Sequence, residues 1–377
     1  MNRTEQRGGN ASTAEGENKN CPPSPFVFQH FPQLDGLRGL AITLVVVGHA
    51  LDFGFGVRTD LGGFGVLLFF VLSGFLITGL LDSESAQTGQ ISLPAFYIRR
   101  GLRLFPALFF FLAALCALIK HRLVADTPWY TVVACLLYVR NIWGRGSATA
   151  QIWSLSLEEQ FYACWPWVMK AFDRNIALRI AVITTAAITT FRMLAIRLQW
   201  FDYNTGLFYE RSWFRFDSIL LGCILALCLL RETHVGHSRD YLSNWFLSAG
   251  LWPAALAWSV WGEGLTHVWY LTVQMALVAL ILLNLLLSKE SAYLEVFRNP
   301  VARWFGRVSY SWYLWQQLLT VLVYPRWKSP AIILACVAAS LLLAVVSYTF
   351  VEKPFLKLKE RLSQPSNVRA STCQVPA

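Results

Sequence analysis

Apolar residues run along this chain in blocks of about 16 to 22, separated by short polar stretches. A helix that crosses a bilayer needs about 20 apolar residues. The pattern therefore predicts ten spans, at 37–56, 62–81, 104–119, 153–170, 177–197, 214–230, 243–261, 266–287, 308–324 and 331–351. An eleventh run, Trp129–Tyr138, is short and is followed by Arg140, Arg145 and glycines, so it is expected to enter the membrane without crossing it. Residues before Phe26 are polar and rich in Asn, Glu, Gly and Ser, a composition that cannot bury a core. The first apolar run starts too late and is too long for a signal peptide. The expected organisation is a disordered cytoplasmic tail over 1–33, a transmembrane unit over 34–355 and a basic cytoplasmic tail over 356–377. Lys357, Lys359 and Arg361 in that last tail suit either an interfacial amphipathic helix or a solvated basic segment. No internal repeat is visible.

Composition narrows the class. Hydrophobic residues make up 55% of the 377 positions and charged residues only 14%, against about 25% charged in a soluble domain. So few charges cannot cover a water-facing surface. The fold class expected is an all-α polytopic membrane protein of about ten transmembrane helices. The net charge of +10 is spread over short loops, which argues against nucleic acid and for positive-inside topology together with an anionic contact. With the N-terminus inside, about two thirds of the 32 Lys and Arg residues fall on the inner side. Both termini are thus expected in the cytoplasm. The eight cysteines form no CxxC pair and lie mostly in apolar runs, as small buried hydrophobes.

Ionisable residues inside spans are costly and are functional candidates by default. The first span opens Asp35-Gly36-Leu37-Arg38-Gly39 and reaches Gly48-His49. Eleven residues separate Arg38 from His49, which puts both on one helix face about 16 Å apart. Arg38 then stands at the inner mouth and His49 near mid-membrane, where a neutral imidazole can act as a general base. Asp35 falls near the same side, and Asp52, three residues on, is a candidate to orient the ring. The structural alternative is a histidine satisfied by a neighbouring helix.

Before the third span, Phe96-Tyr97-Ile98-Arg99-Arg100-Gly101-Leu102-Arg103 places Arg99, Arg100 and Arg103 within one helical turn. Such a patch can grip phosphate oxygens, or it can be ordinary positive-inside anchoring. Trp153-Ser154-Leu155-Ser156-Leu157-Glu158-Glu159-Gln160-Phe161-Tyr162 carries two adjacent carboxylates expected at the outer end of a span. Neighbours point about 100° apart, so one of Glu158 and Glu159 is expected inward and one toward water. The inward one could bind sugar hydroxyls or a protonated His. A capping role, with Ser154 or Ser156 at the helix start, is the alternative. Arg215-Phe216-Asp217 suggests an internal ion pair, and the stretch Ser309 to Gln317 lines the ninth span with hydrogen-bonding and aromatic groups, an aromatic belt being the alternative. No phosphate-cradling glycine loop, zinc-ligand spacing or nucleophile elbow occurs, so neither a metal nor a covalent Ser is expected. On these residues alone, a proton-coupled transporter or flippase fits as well as an enzyme.

Seven segments together resemble the bacterial acyltransferase 3 family of integral membrane O-acyltransferases. They are LDGLRGLA with GH (Leu34–His49), FGVLLFFVLSGFLIT (Phe64–Thr78), FYIRRGLRLFP (Phe96–Pro106), WSLSLEEQFY (Trp153–Tyr162), RFDSILLG (Arg215–Gly222), GRVSYSWYLWQQ (Gly306–Gln317) and VEKPF (Val351–Phe355). The resemblance implies ten or eleven spans in the inner membrane and transfer of an acyl group, usually acetyl, from acyl-CoA. The acceptor it implies is a hydroxyl, usually of a sugar in a surface glycan, a lipid-linked glycan or a glycosylated small molecule. No permanently bound cofactor is implied; acyl-CoA is the donor substrate. It also implies that Arg38 with His49, and Arg100 with Arg103, belong to the active region. Two positions depart from the family's pattern: Leu67 stands where an Asp is common, and Gln316 where a His is common. Little chain follows the tenth span, so no fused esterase-like domain is expected.

Overall fold

The computed structural model describes residues 28, 31–201, 210–230, 245–288, 292–323 and 329–363. The expected tails over 1–33 and 356–377 therefore lie largely outside the described residues. Every regular element among those residues is helical. In chain order they are α1 (Pro32–Ala50), α2 (Leu61–Thr88), α3 (Leu93–Lys120), α4 (Trp129–Leu136), α5 (Arg140–Trp143), α6 (Ile152–Ala171), α7 (Arg174–Arg197) and α8 (Ser212–Leu229). Then come α9 (Trp245–Leu265), α10 (His267–Leu287), α11 (Ala292–Arg298), α12 (Pro300–Val323), α13 (Pro330–Val346) and α14 (Lys353–Ser363).

A helix stands over the described part of each expected span. Among the described residues, seven helical stretches are long and apolar enough to cross a membrane: Pro32–Phe55, Leu61–Thr88, Leu93–Lys120, Arg174–Arg197, Ser212–Leu229, His267–Leu287 and Pro330–Arg361. The other three expected spans, on α6, α9 and α12, are helices of 20, 21 and 24 residues. Trp129–Leu136 is a helix of eight residues. At 1.5 Å per residue that is about 12 Å, too short to span, as expected.

Close helix contacts hold the bundle. A methyl group on Gly74 of α2 would strike the carbonyl of Ile219 on α8, and one on Gly222 of α8 would strike the carbonyl of Val71. These reciprocal glycines let the two backbones touch, which is how helices bind tightly where lipid offers no hydrophobic driving force. α1 packs on α2, α11 and α12, and α8 on α2 and α7. Phe64, Leu67, Val71 and Phe75 of α2 are fully buried. Leu67 thus lies in apolar packing, with no acid in its place.

Among the described residues, two π-helical turns interrupt this regularity. Leu51–Phe55 extends α1, and Ser347–Glu352 joins α13 to α14. Such turns re-aim side chains by one position. In the second, Ser347 and Glu352, five residues apart, both face Ser311 of α12. The Ser311 hydroxyl lies 2.9 Å from Glu352 Oε2, which accepts from it, and 3.3 Å from the Ser347 hydroxyl.

Candidate active site

α1, α2, α3, α6 and α12 enclose a cavity of about 830 Å³, in the range of small-molecule sites. Arg38, Arg99, Arg100 and Arg103 line it together with Asp35, Glu84, Glu158, Ser73, Ser154, Tyr162 and Tyr313. The structure thus brings the α1 arginine and all three α3 arginines to one chamber. A side chamber of about 160 Å³ shares Asp35, Arg38, Arg103 and Tyr310 with it and adds Arg307, Tyr348 and Glu352.

The arginines are not alike. Arg99 bonds Glu84 at 3.0 Å, at the more exposed end. Arg100 is held on three sides: Glu159 at 3.2 Å, Glu158 at 3.8 Å, and the Tyr162 ring, whose centroid lies 3.9 Å from the guanidinium carbon. Among the described residues, no carboxylate comes within 4.0 Å of Arg38 or Arg103. Among the described arginines of the cavity, those two guanidiniums are the ones with no carboxylate in ion-pair range.

The placement of the glutamates corrects the sequence reading. Glu158 and Glu159 were expected apart from the arginines, with one turned to water. Both instead meet Arg100, and both side chains are about 15% exposed. The side chains are long enough that two neighbours on α6 can converge on one guanidinium from a facing helix. Glu158 also accepts from Ser73 at 3.2 Å and from the Tyr162 hydroxyl at 3.4 Å. Neither Ser154 nor Ser156 caps the helix; Gln151 is the N-cap and makes no side-chain capping bond.

His49 lies outside the cavity wall. Its Nδ1 pairs with Gln316 Oε1 at 3.0 Å, so Asp52 is not the group that orients the ring. With the Gln316 amide oxygen toward the ring, an acceptor only, the matching tautomer has its proton on Nδ1 and its lone pair on Nε2. That nitrogen faces Gly62 of α2, where a Cβ would stand 3.7 Å away. Val66, one turn further along α2, is already in the cavity wall. On α12, Tyr313 is in the wall and Gln316, one turn on, holds His49. The cavity therefore ends about one helical turn short of the imidazole. Tyr313 closes that end: it donates to the Gln151 carbonyl at 2.7 Å and meets the Ser154 hydroxyl at 2.6 Å.

The stretch Ser309 to Gln317, expected to line its span with hydrogen-bonding and aromatic groups, is the polar hub of the bundle. Tyr310 donates to the Leu104 carbonyl, Trp312 to Ser340, and Gln317 to the Ser147 carbonyl, besides the bonds of Ser311, Tyr313 and Gln316. The expected pair within Arg215-Phe216-Asp217 is different. Residues two apart on a helix point to opposite sides. Asp217 pairs with Arg192 of α7 at 2.5 Å, and the Arg215 guanidinium carbon lies 5.8 Å from the Phe70 ring centroid.

Three groups of this region were missed from sequence. Arg192 sits in an apolar run with no motif around it. Glu352 lay in the VEKPF segment without a role. Asp60, just ahead of α2, accepts from Tyr270 at 2.6 Å and from Gln274 at 3.5 Å. Burial pushes its carboxyl up to about 6, against the pull of the Tyr270 hydrogen bond.

Comparison with known proteins finds relatives along most of the chain. Over 359 residues the chain is 26% identical to a Staphylococcus aureus (strain COL) protein provisionally named an O-acetyltransferase, covering 87% of this chain and 58% of that one. It is 28% identical over 358 residues to the peptidoglycan O-acetyltransferase of Listeria monocytogenes serovar 1/2a, covering 87% and 56%. A Bacillus subtilis protein provisionally named a peptidoglycan O-acetyltransferase is 27% identical over 364 residues, covering 86% and 55%. The chain thus spans somewhat more than half the length of these curated relatives. No solved structure matches it. The family model for the acyltransferase domain matches residues 31–350, most of the chain, with α1, α2, α3, α6 and α12 inside it, and so the chain belongs to the acyltransferase 3 family.

Proposed function

We propose that this chain is an O-acyltransferase that moves an acyl group, acetyl in the first instance, from acyl-CoA to a sugar hydroxyl. The observation that carries this reading is the arginine-lined cavity ending one turn from a histidine whose Nε2 lone pair is free. Acyl-CoA enters the cavity from the cytoplasm. Arg103 and Arg38, which have no carboxylate partner within 4.0 Å among the described residues, bind its phosphates and pantetheine arm. Arg99 adds charge at the entrance, and Arg100, held by Glu158 and Glu159, sets the electrostatic floor.

His49 is the general base. Its Nε2 takes the proton of the acceptor hydroxyl as the oxygen attacks the thioester carbonyl. The C–S bond breaks as the new C–O bond is completed, and the departing thiolate takes the proton back from Nε2. Gln316 is a positioning residue that holds the proton on Nδ1. Tyr313 and Ser154 are the groups that must shift to join the donor cavity to His49. General-base help of this kind contributes about 10²–10⁴-fold.

For topology, we infer ten spans with both termini in the cytoplasm of a bacterium and the enzyme in its plasma membrane. The basic residues gathered on one side support it. The Listeria relative's name makes a cell-wall sugar the first acceptor to test.

The test is free-thiol release from acetyl-CoA by purified protein, with and without sugar acceptors, wild type beside His49→Ala. Acceptor-dependent release that drops at least hundredfold in His49→Ala, with the variant folded, is expected. Substantial turnover by His49→Ala sinks the role of His49. Passage of a glycan across the membrane with acetyl-CoA left intact replaces the enzyme by a carrier.

A further inference from the structure

The C-terminal helix supplies the cavity with a cation that no part of the site above accounts for. α14 packs along α3 and on the π-helical turn before it. Its outer side presents Phe355 and Leu358, about 40% exposed, and Lys357 is exposed as well. Leu356 and Lys359, three residues apart and so on one face, are the half-buried pair. Leu356 lines the side chamber and Lys359 lines the main cavity.

That orientation is the reverse of what an interfacial helix does by default. Lysines on such a helix extend to water or headgroups while the apolar face enters the lipid. Here Lys359 turns inward, toward a chamber already lined by four arginines. Its wall carries five cations, Arg38, Arg99, Arg100, Arg103 and Lys359, against three carboxylates, Asp35, Glu84 and Glu158, with Glu159 pairing to Arg100 from outside the wall. Like charges gathered in a confined space repel one another, and an anion bound between them relieves that repulsion. An excess of cations on the cavity side suits a ligand with several phosphate oxygens.

We propose that Lys359 is a donor-binding residue whose ammonium receives a phosphate oxygen of acyl-CoA, with α14 as the wall that carries it. This rests on the acyl-CoA reading above. Phosphate oxyanions come from two sources, the donor's nucleotide end or an anionic lipid headgroup, and the proposal is the former. Lys359 then contributes to affinity for the nucleotide part and nothing to the pantetheine part.

The experiment is calorimetric binding of acetyl-CoA and of acetyl-pantetheine to the full chain in phosphatidylcholine nanodiscs. Wild type is compared with Lys359→Ala, Lys359→Arg and the outward-facing Lys357→Ala. Loss of one charge-assisted hydrogen bond predicts acetyl-CoA binding weakened about tenfold in Lys359→Ala. Acetyl-pantetheine binding is expected unchanged, Lys359→Arg close to wild type, and Lys357→Ala unaffected. Wild-type acetyl-CoA affinity in Lys359→Ala overturns the proposal and leaves the acyltransferase reading standing. Equal loss for both thioesters reduces Lys359 to a structural role and also overturns it. An effect seen only when phosphatidylglycerol is added to the nanodiscs assigns the phosphate to a headgroup and overturns it too. Wild-type protein that binds no acetyl-CoA in either bilayer removes the donor reading itself, and this proposal with it.

Discussion

Arg192 and Arg100 are both arginines inside the helix bundle that meet carboxylates, but their surroundings differ in kind. Arg192 and Asp217 are 1% and 0% exposed and 2.5 Å apart. The Phe214 carbonyl takes another bond from the guanidinium at 2.6 Å, and Thr189 donates to the carboxylate at 3.0 Å. One charge meets one charge, and apolar packing encloses the pair. Arg100 shares two carboxylates, is 14% exposed, and borders open space. The enclosed pair can only stabilise or break. The cavity-side cluster can exchange partners with water or a ligand at modest cost, which is what a binding site requires.

Four expected outcomes would break or sharpen that contrast. The largest lies in the enclosed pair. Asp217→Ala strands a buried guanidinium and should cost about 3–5 kcal/mol, read as a large fall in Tm of the purified protein. The double variant Arg192→Met with Asp217→Leu should regain most of that loss, because apolar replacement of both partners is often neutral. A double variant as unstable as the single one would show that the pair is not self-contained.

Arg100→Met comes next. It frees Glu158 and Glu159 beside a chamber that water can enter, so its stability cost should be smaller, about 1–3 kcal/mol. Denaturation as severe as in Asp217→Ala would place the two regions in the same class.

The third outcome concerns Asp60, a buried carboxylate held by neutral donors. Its folded pKa of about 6 exceeds the ordinary value near 3.9. Between those values the folded state keeps the proton that the unfolded state has lost. The contribution of Asp60 to stability is therefore full below about pH 4 and falls as pH rises to about 6, by on the order of 2 kcal/mol. Wild type should gain stability over Asp60→Asn as pH drops from 7 to 5. Parallel Tm curves for the two proteins would contradict this.

The smallest effect is at Gln316. Gln316→Leu removes the acceptor that keeps the proton on His49 Nδ1. The variant should turn over about tenfold more slowly, some 1.4 kcal/mol, with KM for acetyl-CoA unchanged. A change confined to KM would move Gln316 out of proton control and into donor binding.

Where the helices run is legible from the chain alone. Apolar run length is a local property, tied to membrane thickness, and each run from 37–56 to 331–351 has a helix over its described part. The sequence also marked Arg38, His49, Arg99, Arg100 and Arg103, because a charge inside an apolar run is conspicuous on its own. Partners were decided by the tertiary structure alone. Glu159 reaches Arg100 across 59 positions, Asp217 reaches Arg192 across 25, and His49 reaches Gln316 across 267. Each pairing depends on how two helices are rotated against each other, which glycines such as Gly74 and Gly222 and the π-helical turn at Ser347–Glu352 settle through contact. Lys359 shows the same division. Its charge and its place in an amphipathic tail were legible, but its turn toward the cavity follows from how α14 lies against α3. Spacing along one chain specifies a face of a helix, and only packing specifies what that face meets.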